Sequence, residues 1–177
     1  MRKLKNEELN RMSIEAFKKQ TKIPLILILD NIRSLNNIGS VFRTADAFCI
    51  EKIYLCGITA QPPHKDIHKT ALGATNSVAW EYVAQAKDLV EKLHYDGIEL
   101  YAIEQAEQAQ SLETFQPEPY KKYGFIFGNE VKGVQQHLLN FAKKAIEIPQ
   151  WGTKHSLNIS VAAGVVLWDF ISKWKQH

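Results

Sequence analysis

The sequence has few of the features that mark extracellular, membrane-spanning or disulfide-stabilised proteins. Its two cysteines, Cys49 and Cys56, lie in apolar surroundings and form no CxxC motif, so buried thiols are expected rather than a disulfide framework. No apolar run approaches the roughly 20 residues that a membrane span requires. The N-terminus is basic but lacks the apolar core of a signal peptide. We therefore expect a cytoplasmic protein without a membrane partner.

The common glycine-rich nucleotide-binding motifs are also missing. Gly128 and Gly133 have the spacing of a phosphate-binding loop, but Val134 and Gln135 occupy the positions that need lysine and serine or threonine. No G-x-G-x-x-G sequence follows a predicted strand, which argues against a dinucleotide site. A small-molecule enzyme that uses either cofactor is therefore disfavoured.

A metal site is not expected either. His64 and His68 have the i, i+4 spacing that places two ligands on one helix face. No cysteine or third histidine lies nearby, and Pro63 makes a helix at this point doubtful. A closed set of ligands is therefore lacking.

What is present is the composition of a single globular domain with an uneven charge distribution. The hydrophobic fraction is 45% and the charged fraction 23%, with a net charge of +3. Residues 1–22 carry seven Lys or Arg against three Glu, residues 23–120 carry seven against thirteen acidic residues, and residues 121–177 carry eight against three. A polyanion would be attracted to the two basic ends.

The alternation of apolar strands and amphipathic helices predicts an α/β fold. Six strands are expected, at residues 25–29, 52–56, 77–83, 98–103, 123–127 and 145–148. Helices are expected at residues 5–19, 38–48, 85–95, 134–142 and 159–174. This order predicts a parallel sheet with helices on both faces. We divide the chain into a basic helical extension, residues 1–22, and a single domain, residues 23–177; the extension can pack on the domain or contact RNA.

In such sheets, ligands bind where the loops after the strands meet. Three of these loops carry informative polar residues. The first has Asn37 and, six residues later, Arg43, whose guanidinium can hold a phosphate with two hydrogen bonds. The second has Glu130. If this carboxylate has a purely structural role, we expect it to form an ion pair with Arg43. In the third, Ser156 or Asn158 can cap the final helix.

Together these loops closely resemble the three motifs of the SpoU/TrmH family of the SPOUT superfamily. The similarity is carried by Asn37 to Arg43, by Phe127-Gly-Asn-Glu130, and by Ile148-Pro followed by Ser156-Leu-Asn-Ile-Ser160. Ala71-Leu-Gly-Ala74 also resembles a family segment, and the likeness covers about residues 24–172. Family members are S-adenosylmethionine-dependent RNA ribose 2′-O-methyltransferases.

The resemblance implies a fold, a cofactor and partners. In the fold, the segment Phe125–Phe170 would form a C-terminal deep trefoil knot, which ordinary topology rules do not predict. The cofactor would be S-adenosylmethionine, and the substrate an RNA, with tRNA slightly ahead of rRNA. The protein would be a homodimer, and the apolar final helix fits either a core or such an interface. A catalytically silent RNA-binding protein of this fold is the alternative.

The resemblance also implies roles for particular residues. The implied cofactor-binding residues are Gly128, Ile148 and Leu157, with Ala102 and Ser156 less central. The implied catalytic residues are Arg43 in the central role, with Asn37, Glu130, Ser156 and Asn158 around it.

Two roles for Arg43 are compatible with these motifs. It can act as a general base after losing its proton, or it can remain charged and stabilise the developing alkoxide. An arginine side chain keeps its proton near neutrality, and a neighbouring phosphate favours the charged form further. The electrostatic role is therefore preferred, with Glu130 holding Arg43 in place.

Overall fold

A seven-stranded, entirely parallel sheet forms the centre of the molecule. The computed structural model describes residues 1–9 and 11–176. The strand order is β3-β2-β1-β6-β4-β7-β5, and every neighbouring pair is parallel. The strands are β1 Ile23–Asp30, β2 Ile50–Cys56, β3 Trp80–Val83, β4 Glu99–Ile103, β5 Gln110–Ser111, β6 Tyr123–Phe127 and β7 Lys144–Glu147. The α/β fold and the parallel sheet are thus confirmed.

Helices cover both faces of this sheet. They are α1 Ile14–Lys19, α2 Leu35–Ala47, α3 Lys65–Ala71, α4 Ala74–Ser77, α5 Ala86–Tyr95, α6 Gln136–Leu139 and α7 Ile159–Trp174. The buried apolar residues of α1 to α4 and α7 form one core with the sheet, and those of α5 and α6 form a second. Within the described residues, no helix is long and apolar enough to cross a bilayer.

The position of β1 follows from its composition. Leu25 to Leu29 are apolar without interruption, and all five side chains are at most 3% exposed. Such a run is buried on both faces of a sheet, and β1 pairs with β2 on one side and with β6 on the other. The carboxyl ends of β1 and β6 are therefore neighbours, and their loops meet.

The N-terminal segment differs from the single helix predicted at residues 5–19. A 3-10 turn spans Asn6–Leu9, and α1 begins only at Ile14. The physical reason is Ser13, whose side chain accepts a hydrogen bond from the Ala16 N–H and starts a new helix. Asn10, between the two, lies outside the described residues. Phe17 is 6% exposed and packs into the core, so this segment does contact the domain.

Other differences are local. The strand predicted at residues 77–83 begins only at Trp80, because Ala74–Ser77 form a helical turn. The helix predicted at residues 134–142 is limited to Gln136–Leu139. The short edge strand β5 lies in a stretch for which no strand was predicted.

The two cysteines are free thiols. Cys56 is buried, and burial together with the neighbouring Asp30 raises the pKa of its thiol to about 12. Cys49 is only half-buried, so the expectation of a buried thiol is met at Cys56 and in part at Cys49.

Candidate functional site

Two adjoining cavities lie at the carboxyl ends of β4, β6 and β7. The larger has a volume of about 350 Å³, and the smaller a volume of about 110 Å³. They share five lining residues, which are Ile103, Glu104, Ser156, Leu157 and Ala162. The site therefore lies where loops converge at the carboxyl edge of the sheet, as expected for an α/β protein.

Most residues implied as cofactor-binding line these cavities. Gly128 lines the larger, Ile148 the smaller, and Ser156 and Leu157 both. Ala102 differs, since its side chain is completely buried in β4 and the next residue, Ile103, lines the cavities. Four residues from two loops, the one after β6 and the one between β7 and α7, thus surround one space.

A chain of hydrogen bonds joins the three loops beside the larger cavity. The Glu130 carboxylate accepts hydrogen bonds from the backbone N–H groups of Arg33 (2.9 Å) and Ser34 (3.0 Å) and from the Asn37 amide (3.1 Å). The side-chain oxygen Oδ1 of Asn37 in turn accepts a hydrogen bond from the Asn158 side-chain amide at 3.1 Å. Asn37, Glu130 and Asn158, which lie up to 121 residues apart, are therefore in one network.

The positions of Asn37 and Asn158 in this network are fixed by the starts of α2 and α7. Ser34 caps α2 by accepting a hydrogen bond from the Asn37 N–H, which fixes the first turn that carries Asn37. Asn158 caps α7, because its side-chain oxygen accepts hydrogen bonds from the backbone N–H (2.9 Å) and the hydroxyl (2.7 Å) of Ser160. Of the two candidate caps, Asn158 has this role, and Ser156 stays exposed at the cavity.

The charge of Glu130 is stabilised by these donors. Burial by itself would raise the pKa of Glu130, but the hydrogen bonds from Arg33, Ser34 and Asn37 outweigh it. The pKa therefore lies below its ordinary value of 4.5, and Glu130 is a carboxylate at neutral pH.

The predicted ion pair between Glu130 and Arg43 is wrong. Glu130 is held by backbone N–H groups and Asn37, and no ion pair of Arg43 occurs among the described residues. Arg43 is exposed on α2, six residues and about 9 Å along the helix axis from Asn37. Six residues also rotate it by about 240° around the axis, so the two side chains leave the helix in different directions. Arg43 lines neither cavity.

Glu104 is a site residue that the sequence analysis missed. Its carboxylate lines both cavities and accepts hydrogen bonds from the backbone N–H groups of Val134 (2.8 Å) and Gln105 (2.9 Å). A usable signal was present, since Glu104 comes directly after the apolar strand β4. Asn129 was missed as well; its amide donates to the Asn31 carbonyl at 2.7 Å and ties the loop after β6 to that after β1.

The glycines of the loop after β6 permit a very close turn. Asn129 and Gly133 exchange two backbone hydrogen bonds, of 3.1 and 2.8 Å. A Cβ on Gly128 would lie 2.2 Å from backbone atoms of Gly133 and Val134, and Gly133 has a φ of +67°. The spacing that imitates a phosphate-binding loop thus serves backbone packing instead.

One of the two histidines considered as metal ligands has another role. The Nδ1 of His64 accepts a hydrogen bond from the Asp66 N–H and caps α3. Among the described residues, no group of three or more His, Cys, Asp or Glu side chains is arranged to hold a metal ion.

Sequence comparison identifies the family. The model of the SpoU rRNA methylase family matches residues 24–168. The chain belongs to this family. The tRNA (guanosine(18)-2′-O)-methyltransferase of Thermus thermophilus is 31% identical over 92% of this chain and 81% of its own length. A 23S rRNA (guanosine-2′-O-)-methyltransferase of Neisseria meningitidis is 28% identical over 81% of this chain and 56% of its own length. The chain thus spans about half the length of the longer SpoU relatives.

Solved structures of SpoU proteins have the same fold. The A. aeolicus TrmH/SpoU tRNA modifying enzyme superimposes with a TM-score of 0.80 at 24% identity, covering 92% of this chain and 81% of that chain. An AdoMet-bound rRNA methyltransferase from Sinorhizobium meliloti gives a TM-score of 0.77 at 25% identity, covering 90% and 60% respectively. The seven-stranded α/β architecture is therefore that of SpoU/TrmH proteins.

Proposed function

We propose that this protein transfers a methyl group from S-adenosylmethionine to a ribose 2′-hydroxyl of a structured RNA. The observation that carries the proposal is the pair of cavities beside the network of Glu130, Asn37 and Asn158. Family membership supports the same activity, because SpoU relatives carry names of tRNA and rRNA 2′-O-methyltransferases. We favour tRNA over rRNA, since the Thermus tRNA enzyme matches along most of both chains.

The cavities fit S-adenosylmethionine in size and chemistry. The larger alone falls within the range of about 300–1,000 Å³ typical of small-molecule sites. Ile103, Ile148 and Leu157 supply apolar surface, and the Glu104 carboxylate offers negative charge to a cationic ligand. When bound, S-adenosylmethionine supplies a methyl group on a positively charged sulfur. Gly128, Ile148, Ser156 and Leu157 would hold it, while Ala102 would support the floor of the site from β4.

The catalytic roles follow from the geometry of the network. The Glu130 carboxylate fixes the first turn of α2 through the N–H groups of Arg33 and Ser34 and orients the Asn37 amide. Asn158 lines the larger cavity beside the exposed Ser156 hydroxyl, and the buried Asn37 links the Asn158 amide to Glu130. In this proposal Asn158 and Ser156 orient the ribose and phosphate by hydrogen bonds, and Glu130 acts as a positioning residue.

Arg43 would stabilise the negative charge that develops on the ribose 2′-oxygen. A guanidinium stays protonated at neutral pH, so it is suited to electrostatic stabilisation and poorly suited to accept a proton. Arg43 lies outside the two cavities of its own chain, which is consistent with its acting at the cavity of a second copy. We therefore propose a homodimer in which each Arg43 acts at the cavity of the partner subunit.

The surface of α7 supports this dimer. The helix is apolar around most of its circumference, and Val161 (52%), Val165 (40%) and Trp168 (63%) are exposed while Val166 and Phe170 are fully buried. Helices α2 and α7 lie side by side, with the rings of Phe48 and Trp168 6.0 Å apart. A second copy docked on this apolar surface would lie next to α2, which carries Arg43.

The knot, the two regions of the chain and the cellular location expected from the sequence are part of this proposal. The C-terminal segment Phe125–Phe170 is proposed to form the family's trefoil knot, with the two cavities in its walls. Residues 1–22 are proposed as an extension that assists RNA binding, and residues 23–177 as the methyltransferase domain. A cytoplasmic location also stays a prediction.

The experiment is incubation with labelled S-adenosylmethionine and total RNA from a strain that lacks the gene, followed by nucleoside mapping. We expect labelled 2′-O-methyl nucleoside with the parent protein and at least about a hundredfold less with Arg43→Ala. Cofactor binding, measured separately by calorimetry, should be similar in both proteins. RNA binding without any labelled 2′-O-methyl nucleoside from the parent protein would support the non-catalytic alternative instead.

A further inference from the structure

A second groove lies on the face of the sheet covered by α1 to α4, away from the cavities at the ends of β4, β6 and β7. Its volume is about 800 Å³, and it shares no lining residue with those cavities. We call it the α3 groove and define it by Lys18, His64, Lys65, His68, Asn76 and Trp80. These residues come from α1, α3, α4 and the start of β3, so the groove is formed by tertiary packing.

The charged side chains at the α3 groove are cationic. Lys18 and Lys65 are exposed, and neither takes part in an ion pair among the described residues. No Asp or Glu in the described part of the chain lines the groove. The nearest carboxylate in sequence, Asp66, is 4.0 Å from the Nδ1 of His64. The groove is therefore complementary to an anion that can contact two separate cations.

A second basic cavity makes a useful contrast. It has a volume of about 490 Å³ and is lined by Tyr120, Lys121, Lys122 and Trp174, among others. Lys121 is paired with Glu99 and Glu118, and Lys122 with Glu51, so much of its positive charge is already neutralised. At the α3 groove, by contrast, Lys18 and Lys65 form no ion pair among the described residues, so their charge is available to a ligand.

Trp80 gives the α3 groove an aromatic wall. The indole is half-buried and packs against the main core, which fixes its position. Part of the side chain also lines the groove. Single-stranded RNA is recognised by stacking of unpaired bases on aromatic rings, with cations on the phosphates. The exposed Asn76 amide is close enough to line the same space and has both a donor and an acceptor for a base edge.

The N-terminal extension contributes to this groove through adjacent residues. Phe17 anchors α1 in the core, and Lys18 lines the groove. The sequence left packing on the domain and contact with RNA as alternatives. Helix α1 can do both, since Phe17 packs on the domain and Lys18 faces the groove.

We propose that the α3 groove binds an unpaired nucleotide of the RNA, with its base stacked on Trp80 and its phosphates contacted by Lys18 and Lys65. This nucleotide is separate from the one that is methylated. The inference rests on the proposed function only in taking RNA as the partner. Basic and aromatic residues are expected in a single-strand binding groove, whereas an acidic protein segment would not require the Trp80 surface.

The test measures RNA affinity as a function of salt for two variants. Lys18→Ala combined with Lys65→Ala should reduce the slope of log affinity against log salt by about 1.4, because each single-strand phosphate contact contributes about 0.7. Trp80→Leu keeps apolar packing but removes the stacking surface, and should weaken RNA binding roughly tenfold or more. In methylation assays, both variants should raise KM for RNA and leave kcat and cofactor affinity unchanged.

Matched controls lie on α5, on the other face of the sheet. Lys87→Ala with Lys92→Ala removes two exposed lysines, and Tyr95→Leu removes an exposed aromatic ring; both variants should leave RNA affinity nearly unchanged. Thermal unfolding shows whether Trp80→Leu is folded. If Trp80→Leu is unfolded, the lysine variants still test the proposal, because they alter only exposed side chains.

The outcomes separate this proposal from the proposed function. Unchanged affinity and salt slope in the groove variants would overturn the groove assignment even if the parent protein methylates RNA. Weaker RNA binding in the groove variants of a protein that methylates no RNA would support the groove and overturn the proposed function. Poly-glutamate binding is measured with the same variants; its loss with RNA affinity unchanged would identify an acidic polypeptide as the occupant and reject the RNA assignment.

Discussion

Replacing Glu130 with glutamine tests the hydrogen-bond network most directly. The carboxylate accepts hydrogen bonds from the backbone N–H groups of Arg33 and Ser34, one on each oxygen. A glutamine side chain has only one oxygen, so its NH₂ group would face one of these two donors. Glu130→Gln therefore removes one charge-assisted hydrogen bond and weakens those that remain.

The magnitude follows from this loss. A hydrogen bond to a charged group contributes about 1.5–3 kcal/mol, and solvent at this exposed carboxylate reduces that contribution. We expect the free energy of unfolding to fall by about 1–2 kcal/mol at pH 7. The pKa of Glu130 is lowered in the folded protein. Its stabilising effect is therefore present above the ordinary pKa of 4.5 and is lost as the pH falls through the lowered folded pKa.

The assay is urea unfolding of the parent and the variant at several pH values from neutral to acidic. The difference between the two proteins should be constant above about pH 5.5 and should shrink at lower pH. Glu107→Gln, at an exposed position without a hydrogen bond among the described residues, is the control and should have little effect. An equal destabilisation by Glu130→Gln at all pH values would refute the argument, because the charge would then not be responsible.

Three further predictions concern the proposed active site and the proposed dimer. Arg43→Ala and Arg43→Lys should each lower kcat for RNA methylation by about 10²–10³ or more, with normal cofactor binding; methylation at the parental rate would contradict the role of Arg43. Trp168→Asp should give a monomer in analytical ultracentrifugation and abolish activity, while Tyr95→Asp, on α5, should not; an active monomer would exclude the shared site. Gly128→Ala should lower stability by about 1–3 kcal/mol and weaken cofactor binding, because its Cβ would lie 2.2 Å from backbone atoms. Gly152→Ala, with no atom within 4 Å, is its control, and equal behaviour of the two variants in unfolding and calorimetry would reject the packing argument.

The sequence was most informative where composition alone determines structure. The uninterrupted apolar run of β1 requires burial on both faces, and the pattern of α7 predicted its bounds, Ile159–Trp174. The N-terminal helix was predicted too long because a local cap at Ser13 outweighed the amphipathic pattern.

The loops of the candidate site were predictable, and the contacts between them less so. The loops that carry Asn37, Gly128 and Asn158 were found, and the structure brings them together. The partner of Glu130 was not found, because backbone N–H groups have no signature in the sequence and Arg43 was the nearest apparent cation. Glu104 was overlooked although it follows a strand in the same way as other site residues do.

The hydrogen bond between Asn37 and Asn158 connects the first turn of α2 to the cap of α7. One of these helices carries Arg43, and the other follows the loop that contains Leu157. If RNA and cofactor favour the same arrangement of this hydrogen bond, each ligand increases the affinity of the protein for the other. The factor by which the affinity rises is the same whichever ligand binds first. The ratio of RNA affinities measured with and without cofactor would therefore give the coupling free energy between the two ligands, to which this pair of amides contributes.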